Sequence, residues 1–223
     1  MVKESKLRYV LVELAYHLPY SIFGITLGLL LMGILSFLAI LMRAESLLPE
    51  ASMELFHVFH PAHVLISAVA TTAMFYKHEK RVLKAIAVGF FGSISICGLS
   101  DIFFPFAGGL ILGAEMHMHV CVIENPGLIV PFALVGAVAG LLITKSLDKS
   151  TQYSHSAHVF ISSAASILYL LGFGLTDWIH VVGAVFLITI VAVMVPCCAS
   201  DIIFPLVCVH RDCQHPEELT HGH

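Results

Sequence analysis

Apolar stretches long enough to cross a bilayer recur six times along the chain, at about 18–42, 57–76, 82–106, 126–144, 155–175 and 179–209. A hydrocarbon core needs roughly 20 apolar residues per helix. The pattern therefore predicts an all-α polytopic membrane protein with six transmembrane helices. Glu45, Pro49, Glu50 and Glu54 mark a polar connection between the first two stretches. The third and sixth stretches are longer than a simple span requires, and each carries proline. Broken helices are expected near Pro105 and near Pro196/Pro205.

The polar positions inside these stretches are written twice. His60, His63 and Ser67 are followed by Ser100-Asp101 and Pro105; His155, His158 and Ser162 are followed by Ser200-Asp201 and Pro205. The second copy lies 95 residues after the first at the histidines and 100 residues after it at the Asp motifs. Ionisable groups inside apolar segments are costly and call for a functional reason. With three spans in each copy, the second half enters the membrane from the opposite side. The expected architecture is two inverted three-helix repeats, a recurrent transporter plan. Residues 1–114 form the first repeat, 115–125 an outer connection, 126–209 the second repeat and 210–223 a cytoplasmic tail. Gly24 and Gly28 are weakly echoed by Gly136 and Gly140, a spacing that permits close helix packing.

Composition agrees with the membrane reading. Charged residues make up 12% of the chain and hydrophobic ones 58%, against about 25% charged in ordinary soluble domains. The first apolar run is too long for a cleaved signal and lacks a convincing cleavage site. Ten of the eleven basic residues fall on alternate connections and the two tails, leaving Arg43 alone on the other side. By the positive-inside rule both termini are cytoplasmic, which suits a plasma (inner) membrane. The six cysteines lie mostly in or beside apolar segments and do not form a secreted disulfide framework. No basic cluster with interleaved aromatics points to nucleic acid. The expected partners are a metal ion and membrane lipid, and a homodimer is compatible with six spans.

His60, His63 and Ser67 share one helical face, which His57 extends by a turn. Imidazole nitrogens and a carboxylate form a donor set for a divalent transition metal. Zn²⁺ is preferred, while Mn²⁺, Fe²⁺, Co²⁺ and Ni²⁺ are also accommodated. The candidate ligands in the repeats are His60, His63, Asp101, His155, His158 and Asp201. An unduplicated run supplies Glu115, His117 and His119, with Cys121 close behind, as a capture or occluding element. Cys197 and Cys198 could bias a site toward softer metals, or simply pack. Helix pinning by His–Asp pairs is the bland alternative.

These features together lead to the expectation of a secondary transporter of a divalent transition metal. Proton coupling is attractive because His titrates near neutrality and protons compete with metal. An intramembrane metal-dependent hydrolase is the rival, weakened by the lack of HExxH or GxSxG. A metal-binding structural or sensor protein is a third reading. Sequence leaves open whether the two His/Asp copies build one central site or two.

Overall fold

This computed structural model describes residues 2–143 and 151–198, with side chains described over 18–143 and 157–196. Within those limits the chain is all-helical and has no strand. α1 runs Val2–Leu41, α2 Leu48–His78, α3 Val82–Gly98, α4 Phe104–Ile111, α5 Cys121–Glu124, α6 Pro126–Ile143, α7 Thr151–Gly172 and α8 Val182–Val193. Leu18–Leu41, Glu45–His78, Val82–Ile111 and Pro126–Ile143 are four stretches long and apolar enough to cross a membrane. Ala157–Gly172 and Val182–Pro196 are shorter apolar helices. Large apolar side chains such as Phe23, Phe37, Phe91 and Leu142 face outward, as lipid-facing residues would.

Two boundaries differ from the hydropathy reading. α2 starts at Leu48, well before the second apolar stretch, so Glu50 and Glu54 lie on the helix rather than in a loop. Pro49 suits the first turn because its missing N–H would have no partner there, and Glu50 faces the positive end of the helix dipole. The helix also does not break at Pro105. It widens into one π turn over Leu99–Phe103, where the Phe104 N–H donates to the Leu99 carbonyl. Pro105 cannot donate to the Asp101 carbonyl four residues back, and a wider turn absorbs that loss. A second π turn, Met194–Cys198, contains Pro196 and follows α8. α4 then ends in a Schellman cap: Ala114 N–H bonds Gly109 O, Gly113 N–H bonds Leu110 O, and Gly113 takes φ +79°.

α2 lies at the centre, packed on α3, α6 and α7, while α1 lies against α7. α2 and α7 are antiparallel: Met53 meets Gly172, Phe56 meets Tyr169, and further along His63 meets His158. Glycines allow the first helix of each sequence half to approach the second helix of the other. A Cβ on Gly24 would stand 2.9 Å from Val159 Cγ1, and one on Gly28 would stand 3.6 Å from Ala164 N. On the other side a Cβ on Gly136 would be 2.4 Å from Leu65 O, and one on Gly140 2.6 Å from Val69 O. Leu65 and Val69 precede Phe160 and Ala164 by the same 95 residues that separate the histidine copies. The connections on one side gather together. The His117 N–H donates to Phe173 O, and Gly174 abuts Glu115 and Met116.

Backbone contact at Gly136 makes a specific demand. Gly136→Val is expected to destabilise the fold by about 1–3 kcal/mol through overpacking, read as a lower thermal midpoint in detergent. Gly33→Ala, where nothing lies within 4 Å of the added Cβ, should show no loss.

Candidate metal centre

The π turn sits where the first repeat has its carboxylate. Asp101 is fully buried, and its two oxygens are divided between two kinds of donor. Nδ1 of His60 lies 2.8 Å and Nδ1 of His63 2.7 Å from Oδ2. The Ser100 hydroxyl donates to Oδ1 at 2.7 Å and the Ser162 hydroxyl at 3.2 Å. A carboxylate can only accept, so each imidazole carries its proton on Nδ1 and turns Nε2 away from the acid. Ser166 ties the same region together, its hydroxyl donating to Ser100 O at 3.0 Å.

His63 then reaches across to the other half. Its Nε2 lies 2.8 Å from Nε2 of His158, and the two rings meet edge to face at 4.7 Å. These two histidines are the matching members of the sequence repeat. One buried centre therefore contains His60, His63, Asp101 and His158. His60 is braced by Phe56, which stacks on it at 5.1 Å. Ser67, the repeat mate of Ser162, has a buried hydroxyl with no hydrogen-bond partner among the described residues. The side chain of His155, and Asp201 altogether, lie outside the described residues, as do the side chains of Cys197 and Cys198.

A second cluster lies toward the N-terminal end of α2. His57 Nε2 is 3.1 Å from His119 Nε2, and Cys121 completes a group whose donor atoms all lie within 4.8 Å of one another. Glu124 braces this group: one oxygen accepts from His119 Nδ1 at 2.7 Å, the other from the Val120 N–H at 3.0 Å. The Val120 N–H, and His119 after it, hold the Glu124 carboxyl below the usual carboxylate range. The His119 N–H donates to the Tyr169 hydroxyl, which donates in turn to His117 O. The His119 ring stacks on Phe173 at 4.9 Å. Cys121 is buried, and burial with the nearby Glu124 charge pushes its thiol up to about 12. A cation would have to displace that proton to bind sulfur.

Of the predicted outer run, His119 joins this cluster, whereas the side chains of Glu115 and His117 are exposed. Three contributors escaped the sequence reading: His57 as a partner of His119, Glu124 as its brace, and Tyr169 as the clamp on its backbone. His57 left a trace, three residues before His60 on the same face. Nothing in local spacing connects α2 to residues 119–124 across a separation of 62 positions.

No protein family, curated protein or solved structure matches this chain. Its chemistry has to be argued from the residues themselves.

The buried acid is the strongest structural demand in the centre. Asp101→Leu removes the acceptor of two imidazole N–H groups and two hydroxyls at once, and should cost about 3 kcal/mol or more. Asp101→Asn keeps an acceptor oxygen and should cost less. Thermal unfolding of the two variants side by side in detergent measures the difference.

Proposed function

We propose that this protein is a secondary transporter that passes a divalent transition metal, Zn²⁺ by preference, between two inverted three-helix halves. The observation that carries the reading is the 2.8 Å meeting of His63 and His158, the same position in each repeat, inside the bundle. A transporter built from inverted repeats keeps its substrate site at the interface between them. Antiparallel α2 and α7, and the crossed glycine packing of α1 on α7 and α6 on α2, support that symmetry.

In this reading Asp101 holds and aims ligands rather than taking the ion itself. Metal-binding histidines commonly donate their second nitrogen to a carboxylate, which fixes the ring and raises its basicity. His60 and His63 have that arrangement, with Nε2 left for the substrate. Two nitrogens bound to one tetrahedral Zn²⁺ stand about 3.3 Å apart, given Zn–N bonds near 2.0–2.1 Å. At 2.8 Å the His63–His158 pair is closed on a shared proton, and the rings must part by about 0.5 Å to admit the ion. When the pair carries an extra proton as imidazolium, an entering metal takes that proton's place, and its release couples the two flows in opposite directions. Asp201 and His155 supply the same functions from the second repeat.

The membrane arrangement belongs to the same proposal. The two shorter apolar helices complete six spans, both termini lie on the basic, cytoplasmic side, and the 112–125 connection faces outward. Arg43 is the lone basic residue of the connections assigned to that outer side.

The test is flux into proteoliposomes, with metal measured by elemental analysis. Purified wild type should move Zn²⁺ and release protons in the opposite direction. His63→Ala/His158→Ala should reduce flux at least about 100-fold, as expected when ligands held in an ordered site are removed. Asp101→Asn and Asp201→Asn should each slow it by similar factors. Stoichiometric metal binding without any flux would sink the transporter reading and leave a sensor or metal-dependent hydrolase. Undiminished flux in the double His variant would sink the site.

A further inference from the structure

The cluster at the N-terminal end of α2 has a feature that the buried centre does not show among the described residues: a sulfur donor. The His119 ring is also held in place: Glu124 accepts from its Nδ1, which leaves the Nε2 lone pair facing His57 Nε2 across 3.1 Å. That spacing is already close to the roughly 3.3 Å expected of two nitrogens on a tetrahedral Zn²⁺. Cys121 Sγ stands within the same 4.8 Å group, buried beside them.

We infer that His57 Nε2, His119 Nε2 and Cys121 Sγ form a second metal site that takes a borderline or soft divalent ion of the Zn²⁺ or Cd²⁺ kind. Two imidazoles and one thiolate are donors that zinc takes in a tetrahedral site, and three of them leave a fourth position open for water or for transfer. Thiolate ligation disfavours Mg²⁺, Ca²⁺ and Mn²⁺, which prefer oxygen. The site holds its ligands before the ion arrives. Glu124 clamps both His119 and the Val120 amide, Phe173 stacks on the His119 ring, and Tyr169 bonds its backbone on both sides.

The cluster also has a place in a sequence of sites. His57, His60 and His63 follow one face of α2 at intervals of three residues, or about 4.5 Å of rise. An ion held by His57 is one turn from His60, and His60 is one turn from the His63–His158 pair. The outer cluster therefore acts as the mouth of the pathway and rejects hard cations before they reach the buried centre. Metal binding at the cluster stands on its own geometry; its role as a mouth rests on the transport reading above.

Co²⁺ is the probe for the test, because a thiolate ligand adds a sulfur-to-cobalt charge-transfer absorption and four-coordination gives intense visible bands. The full chain in detergent should show the charge-transfer band, and His63→Ala/His158→Ala should keep it. Cys121→Ser should abolish it, and Glu124→Gln should weaken Co²⁺ binding about 10–100-fold. Zn²⁺ and Cd²⁺ should displace the Co²⁺ signal, whereas Mn²⁺ in large excess should not. If Cys121→Ser does not fold, His119→Gln, altered in a connecting segment, decides in its place by the same loss of signal. No band in wild type, or a band that survives Cys121→Ser or His119→Gln undiminished, overturns the site. An intact cobalt spectrum with no flux in liposomes overturns the transport reading alone, and normal flux with no cobalt–thiolate band overturns the outer site alone.

Discussion

The structure depends on keeping one carboxylate, Asp101, in the middle of an apolar helix bundle. An isolated charge there is strongly disfavoured, so every acceptor position has to be met. The solution takes donors from three helical segments: two imidazoles from α2, a hydroxyl from the π turn and a hydroxyl from α7. Meeting that demand fixes the rotation of α2, the proximity of α7 and the widened turn beneath Pro105. It also fixes the protonation of both imidazoles, because an acid that only accepts leaves Nδ1 no alternative. The chemistry of the centre therefore follows from the cost of burying the charge.

Close backbone contact makes the arrangement reachable. Gly136 and Gly140 bring α6 against the carbonyls of Leu65 and Val69, while Gly24 and Gly28 bring α1 against the corresponding stretch of α7. In a membrane, apolar side chains gain little by leaving lipid for one another, so small residues and close packing carry much of the association. The central pair α2–α7 is thereby held from both sides. Its crossing point is occupied by histidines rather than by another glycine, and those rings join the Ser162–Asp101 and Ser166–Ser100 hydrogen bonds as polar contacts between the two copies.

Much of the centre was legible in the sequence because duplication is visible without a structure. The repeat singled out His60, His63, Asp101, His158 and the serines around them. Helical spacing placed His57 on the same face. Spacing could not say whether the copies meet, because a period reports which face a residue occupies and not which helix covers it. The antiparallel crossing of α2 and α7 is what brings His63 and His158 together. The early start of α2 was missed for a different reason: a hydropathy window ends at Glu54 and Glu50, although acids in a first turn favour a helix. Glu124 and Tyr169 were beyond reach because their part in the outer cluster exists only after the segment 112–125 folds back over α2 and α7.

The spacing along α2 argues for why the motif had to be duplicated. Three histidines whose ends lie six positions apart span about 9 Å of helix, roughly a third of a 30 Å hydrocarbon core. One copy of the motif therefore reaches from its own end to the centre of such a core and no further. An antiparallel second copy, meeting the first at equivalent histidines, continues the series toward the other face. His155 lies three positions before His158 on α7, on the side away from the outer connections. The sulfur-bearing cluster has no counterpart in the repeat, since residues 115–125 occur once. On the proposed transport reading, the duplicated residues would serve either direction of travel and the unduplicated cluster one face, which would put selection among metals at that cluster and the transfer itself at the paired histidines.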